Sequence, residues 1–145
     1  MTFEEWEKTV PTALRERPVW RATAYRKATF LATRAPEDVL PMARDVRFGG
    51  DVSQLVKAVG SIGSNITEGY GRRSRLDRIK FYEYALGSAG ESMHWYTVLS
   101  AGLRGDLLKQ RVETLAEVSK LLLTMIRNER EGGGWNDSRR IPPRT

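Results

Sequence analysis

Residues 59–75 constrain the fold more than any other part of the chain, because a helix, a sharp turn and a second helix must follow one another within them. Apolar residues recur at helical spacing up to Ile66. At Gly69 and Gly71 the chain can adopt the left-handed conformation that commonly ends a helix and that other residues resist. A new helical pattern begins near Ser74, which is a good N-cap. The segment therefore predicts two helices joined by a tight turn.

The same helical periodicity covers most of the remaining chain, and no segment of any length has the pattern of a strand. Short turns between successive helices favour antiparallel neighbours. The predicted fold is therefore all-α, an up-down four-helix bundle over residues 1–131, followed by a flexible basic tail over residues 132–145. The four helices are predicted at about 18–33, 51–68, 74–103 and 106–131.

Two of the predicted helices carry features that call for close neighbours. Gly60 and Gly63 lie inside the second helix, where each glycine costs up to about 1 kcal/mol relative to alanine. Such a cost predicts that another helix approaches closely at that point. The third helix is apolar on two faces, which predicts one face in the core and the other against another subunit.

Composition narrows the class of protein. The chain has 145 residues and no cysteine, so a disulfide framework and zinc–thiolate sites are excluded. Its first residues are acidic, and no apolar run approaches the roughly 18 residues that a membrane span requires. We therefore expect one soluble, cytoplasmic domain with no membrane partner.

The formal net charge of +6 is concentrated in three places. Residues 72–80, called here the cationic corner, carry five basic side chains against one carboxylate, while residues 105–131 are balanced. Arginine beside an aromatic ring favours contact with RNA or single-stranded DNA, and Tyr70 is placed to stack on a base. The predicted nucleic-acid contacts are Arg72, Arg73, Arg75, Arg78, Lys80 and Tyr70 at the corner, Arg21, Arg26 and Lys27 in the first helix, and Arg139 and Arg140 in the tail.

Plainer interpretations stand beside these predictions. Asn65 and Glu68 can tie down the turn by bonding backbone groups or a nearby arginine. A run of surface arginines can be an ordinary solvated face. Glu91 and His94 have the Glu-x-x-His spacing of di-iron bundles, but that site needs two such pairs and the chain has one histidine. We therefore predict no metal, no cofactor and no catalytic activity.

The central residues also resemble a known family. The resemblance lies in Ser61-Ile62-x-x-Asn65-Ile66-x-Glu68-Gly69-x-Gly71-Arg72, followed by Phe81, Ala85 and Gly87-Ser88-Ala89-x-Glu91. This pattern is similar to the four-helix bundle proteins encoded in intervening sequences of bacterial 23S ribosomal RNA genes. A related group serves as accessory proteins of diversity-generating retroelements. The resemblance implies that Asn65, Glu68, Gly69, Gly71, Ser88 and Glu91 form a structural motif.

The resemblance further implies assembly into a cyclic homopentamer. Combined with the charge distribution, it leads to the expectation of a non-catalytic, oligomeric accessory protein that binds RNA or DNA and docks a partner such as a reverse transcriptase. The alternative is a scaffold or adaptor that binds only protein, with its positive charge serving an acidic partner.

Overall fold

A computed structural model of the protein describes residues 1–132, and this part of the chain is helical with no strand. The all-α prediction is confirmed, but the described part contains six α-helices rather than four. Short 3-10 turns occupy Pro18–Arg21, Leu40–Met42 and Ser100–Gly102. The α-helices are α1 (Phe3–Thr9), α2 (Thr12–Arg15), α3 (Thr23–Val39), α4 (Gly49–Tyr70), α5 (Arg75–Val98) and α6 (Leu107–Glu131).

The four long helices pack around one core. α4 contacts α3 and α5, α5 contacts α6, and α6 returns to α3, so each long helix has two long neighbours. Burying each large apolar side chain contributes about 1.5–3 kcal/mol relative to leaving it exposed, so this core is the main source of stability. Its largest fully buried apolar side chains include Leu31, Leu55, Ile62, Ile66, Tyr82, Tyr96, Leu115 and Leu122.

The two additional helices belong to the first 22 residues, called here the N-terminal arm. Thr2 and Glu5 form a reciprocal capping box that satisfies backbone groups at the start of α1. Trp6 and Val10 then pack on Phe30 of α3 as a second, smaller core. The arm therefore forms helices because its own apolar residues bind it to α3.

α3 ends later than the first helix of the prediction, which is expected to stop at about residue 33. The helix continues through Pro36 to Val39, and Ala35 and Val39 are buried in the core. Asp38 anchors this last turn, since its carboxylate accepts two hydrogen bonds from Arg111 at 2.8 and 3.2 Å and one from the Tyr96 hydroxyl at 2.6 Å. These tertiary contacts outweigh the local cost of the proline.

Burial raises the pKa of the Tyr96 phenol far above its usual value, and the hydrogen bond to Asp38 adds to the effect. Arg111 loses hydration in the same site, but the hydrogen bond and charge of Asp38 outweigh that loss and raise the pKa of the guanidinium. The network therefore links α3, α5 and α6 through a charged pair and a neutral phenol.

The turn between α4 and α5 is not built on left-handed glycine, so that prediction is wrong. α4 continues to Tyr70, and Gly71 has a φ of −86°, which any residue can adopt. Gly69 is required by packing instead, because a Cβ there would lie 2.8 Å from Cβ of Phe81 and 3.0 Å from the ring of Tyr82. Glycine at this position lets α4 and α5 approach closely.

The two glycines inside α4, Gly60 and Gly63, differ in how closely a neighbouring helix approaches them. A Cβ on Gly63 would lie 3.2 Å from Oγ1 of Thr29, so the predicted close approach of another helix is confirmed there. A Cβ on Gly60 would meet no atom within 4 Å, so the prediction is wrong at that position. Within residues 1–132, left-handed backbone occurs at Gly105 and Gly132, after α5 and α6 respectively.

Candidate nucleic-acid interface

The cationic corner is held in place by the side chain of Arg78. Its Nη1 donates to the backbone carbonyl oxygens of Arg72 at 3.1 Å and Arg73 at 2.6 Å. Its Nε donates to the carboxylate of Glu129 near the end of α6. One guanidinium thus joins the turn, α5 and α6.

Two of the predicted nucleic-acid contacts, Arg78 and Tyr70, are buried. The side chain of Arg78 is 1% exposed and that of Glu129 is 3% exposed, so the guanidinium serves a buried ion pair and cannot reach a nucleic acid. Tyr70 is 4% exposed, because it occupies the last turn of α4 on the side that faces the core. The predictions that Arg78 binds phosphate and that Tyr70 stacks on a base are therefore wrong.

The other four basic side chains of the corner are exposed. Arg72 forms an ion pair with Glu68 one turn earlier, and its guanidinium lies 4.9 Å from the centroid of the Phe81 ring. Lys80 lies 3.9 Å from Asp77 and 5.1 Å from the same ring centroid. Exposed pairs of this kind contribute at most about 1 kcal/mol, so a competing anion can displace the carboxylate.

Arg75 faces the end of α6, while Arg73 lies in the turn itself. A Cβ placed on Gly132 would be 3.0–3.2 Å from the guanidinium atoms of Arg75, so this side chain lies against the last residue that the structure describes.

The Ser74 hydroxyl accepts a hydrogen bond from the backbone N–H of Asp77 at 3.3 Å, which confirms Ser74 as the N-cap of α5.

A surface groove of about 560 Å³ opens at the corner. Arg72 and Arg73 line it together with Arg17, which comes from the N-terminal arm. The sequence does not indicate that Arg17 belongs to this site, because no local pattern relates it to the turn. The complete lining, called here the corner groove, is Arg17, Thr67, Glu68, Gly71, Arg72, Arg73, Ser74 and Asp77.

The three predicted nucleic-acid contacts of the first helix do not share one environment. Arg26 forms an ion pair with Glu7 at 2.7 Å, and Lys27 forms one with Glu117 at 2.6 Å, so both mainly connect elements of the fold. Arg21 is exposed at the end of a 3-10 turn. Arg139 and Arg140, with the predicted tail, lie outside the described residues.

The motif residues differ in exposure: three are exposed (Glu68, Gly71 and Glu91), two are half-buried (Asn65 and Ser88), and Gly69 is buried. The Asn65 amide donates to the carbonyl of Ser61 at 2.8 Å, one turn earlier in its own helix. The carbonyl of Ser88 accepts the Ser92 hydroxyl at 2.7 Å. Glu91 is exposed and accepts the indole N–H of Trp95 at 3.4 Å. Each of these bonds lies within one helix, so Asn65 does not tie down the turn, and the structural role of the motif stays a prediction.

Metal-binding and membrane-spanning features are absent from the described part of the chain. Among residues 1–132, no group of three or more His, Asp or Glu side chains is arranged to hold a metal ion. His94 is exposed and packs edge-to-face on Trp95, with ring centroids 4.9 Å apart. Within the same residues, every helix is too short or too polar to cross a bilayer.

Comparison with known proteins places the fold in context. A crystal structure of a protein of unknown function from the S23 ribosomal protein family of Bacteroides thetaiotaomicron is similar, with a TM-score of 0.67 and 23% sequence identity over 72% of this chain and 99% of that chain. At this identity the similarity supports the fold alone. No curated protein matches the sequence significantly.

The profile of the family described as 23S rRNA-intervening sequence protein matches residues 23–126, which is more than half of the chain. The match begins at the first residue of α3 and ends within α6, so it includes the long helices and the cationic corner but not the N-terminal arm. The protein belongs to the 23S rRNA-intervening sequence protein family.

Proposed function

We propose that the protein is a non-catalytic accessory protein that binds the sugar–phosphate backbone of RNA or DNA through the cationic corner. The observation that supports this proposal most is the combination of a fixed turn and exposed cations. Arg78 holds the backbone of Arg72 and Arg73, while the side chains of both residues extend to solvent beside the corner groove. A turn whose backbone is already fixed loses less conformational freedom when its arginines bind phosphate.

The net charge of +6 supports the same proposal, because Lys and Arg that neutralise phosphates release counterions from the nucleic acid. Binding of this kind weakens as salt rises, with a slope of log K against log salt of about −0.7 per contacted phosphate for single strands. Salt dependence therefore reports how many cations make contact.

The test is a salt titration of a fluorescent single-stranded RNA with the full chain and with the double variant Arg72→Gln/Arg73→Gln. We expect the variant to bind at least tenfold more weakly at low salt. The slope of log K against log salt should become shallower by about 1.4, which corresponds to two lost phosphate contacts. The same-sequence DNA, titrated in parallel, distinguishes RNA from DNA binding.

The matched control is Arg44→Gln/Arg104→Gln, which removes two exposed arginines away from the corner and changes the net charge equally. It should bind nearly as the unaltered protein does. Absence of binding to RNA and DNA at low salt would contradict the proposal and favour the second candidate, a scaffold for an acidic protein partner. The outward side of α5 favours that candidate, since Leu76, Tyr84 and Val98 are 77%, 52% and 43% exposed.

The proposal has two further parts, both of which rest on the resemblance. The first is that the four long helices form an up-down four-helix bundle that assembles into a cyclic homopentamer. The second is that the protein docks a reverse transcriptase. The exposed apolar residues of α5 are compatible with a subunit interface. Ring closure would repeat the cationic corner around an axis and convert weak contacts into a polyvalent surface. Light scattering should give five times the chain mass of 16.5 kDa, and a monomer mass would contradict the assembly.

A further inference from the structure

The N-terminal arm lies before residues 23–126, which match the family, yet it is attached firmly to the long helices. Phe3 and Trp6 contact Phe30 of α3, with ring centroids 5.8 and 5.7 Å apart. An ion pair of 2.7 Å between Glu7 and Arg26 adds a polar link. The arm is therefore an integral part of this chain's surface.

The end of the arm is positioned by a second anchor. Val19 is 3% exposed and belongs to the main core, where the 3-10 turn Pro18–Arg21 places it. Arg17 directly precedes this turn and is exposed. Because the backbone beside it is anchored, Arg17 lines the corner groove together with Arg72 and Arg73.

Three arginines from two distant segments thus line one groove. Two carboxylates share the lining, but Glu68 already pairs with Arg72 and Asp77 lies 3.9 Å from Lys80. A phosphate group suits such a site, because its several oxygens can accept hydrogen bonds from more than one planar guanidinium at once.

We propose that Arg17 completes a phosphodiester-binding groove, so that the N-terminal arm forms part of the nucleic-acid site. This inference rests on the proposed function and adds to it the ligand group and a contributing segment outside the family match. In this proposal the arm, through Arg17, adds to the affinity that the residues of the α4–α5 turn supply.

The test compares Arg17→Gln with Arg15→Gln in the full chain, by titration of the same fluorescent single-stranded RNA and DNA. Both substitutions remove one exposed arginine of the arm, but Arg15 faces a different groove, lined by Glu4, Glu7, Lys8 and Trp20. We expect Arg17→Gln to weaken binding by roughly tenfold and to make the slope of log K against log salt shallower by about 0.7. Arg15→Gln should have little effect on either quantity. Thermal midpoints of the two variants should be equal, because both side chains are exposed.

The outcomes separate this inference from the proposed function. If Arg72→Gln/Arg73→Gln weakens binding but Arg17→Gln does not, the inference is overturned and the proposed function stands. Equal losses in Arg17→Gln and Arg15→Gln would also overturn it, because they would report net charge rather than the groove. If the unaltered protein binds neither RNA nor DNA, the proposed function itself fails.

Discussion

Replacing Glu129 with glutamine should lower the free energy of unfolding by about 3–5 kcal/mol, because it removes the carboxylate that pairs with the charge of Arg78 in a buried site. The side chains of both residues are almost fully buried, so water cannot replace the lost carboxylate. For a chain of this size, such a change should lower the melting temperature by about 10 °C or more. Urea denaturation and thermal unfolding followed by circular dichroism measure the effect.

The control is the double variant Arg78→Met/Glu129→Met, which removes both charges and keeps apolar bulk. Replacing a buried ion pair with well-packed apolar residues is often neutral or stabilising, so the double variant should recover most of the lost stability. It still lacks the hydrogen bonds from Arg78 to the carbonyls of Arg72 and Arg73. A Glu129→Gln variant as stable as the unaltered protein would contradict the assignment of a buried charge pair.

This double variant also separates two roles of Arg78. If it is stable but binds RNA more weakly, the side chain supports binding by fixing the turn rather than by touching phosphate. Arg78 would then be a positioning residue for Arg72 and Arg73. If stability and binding are both unchanged, the turn keeps its form through the remaining contacts, and the proposed preorganisation is wrong.

The second large effect is expected for Asp38→Ala, which should destabilise the protein by about 3 kcal/mol. The substitution removes the acceptor of both hydrogen bonds from Arg111 and of the hydrogen bond from Tyr96, and the Asp38 side chain is only 6% exposed. The last turn of α3 should loosen as well, since Pro36 weakens the helix just before it. Hydrogen exchange of residues 35–42 should therefore accelerate more than that of the rest of α3.

Tyr96→Phe is the matched variant, since it removes one hydroxyl from the same network and should cost only about 1 kcal/mol. It also carries a pH signature. The phenol has a raised pKa in the folded protein, so its stabilising effect is complete below the unfolded pKa of about 10 and is lost as pH rises above that value. The free energy of unfolding should therefore fall less steeply above pH 10 in Tyr96→Phe than in the unaltered protein. Equal slopes would contradict a buried, neutral phenol.

The two networks share a physical feature that explains why sequence reasoning did not find them. Arg78 and Glu129 are 51 positions apart, and Asp38 and Arg111 are 73 positions apart. Each residue has the local appearance of an ordinary charged position on a helix. Only the packing of α5 on α6, and of α3 on α6, makes these residues partners.

Local patterns did determine the all-helical class, the reversal after residue 70 and the N-cap at Ser74, because helical periodicity and capping depend on residues within a turn or two of one another. They also located the cationic corner. Tertiary packing alone decided that Gly69 serves helix approach rather than a left-handed turn, that Arg78 and Tyr70 are buried, and that Arg17 joins the groove. The physical reason is that burial and the meeting of distant charges are set by how helices face one another, which no single helix specifies.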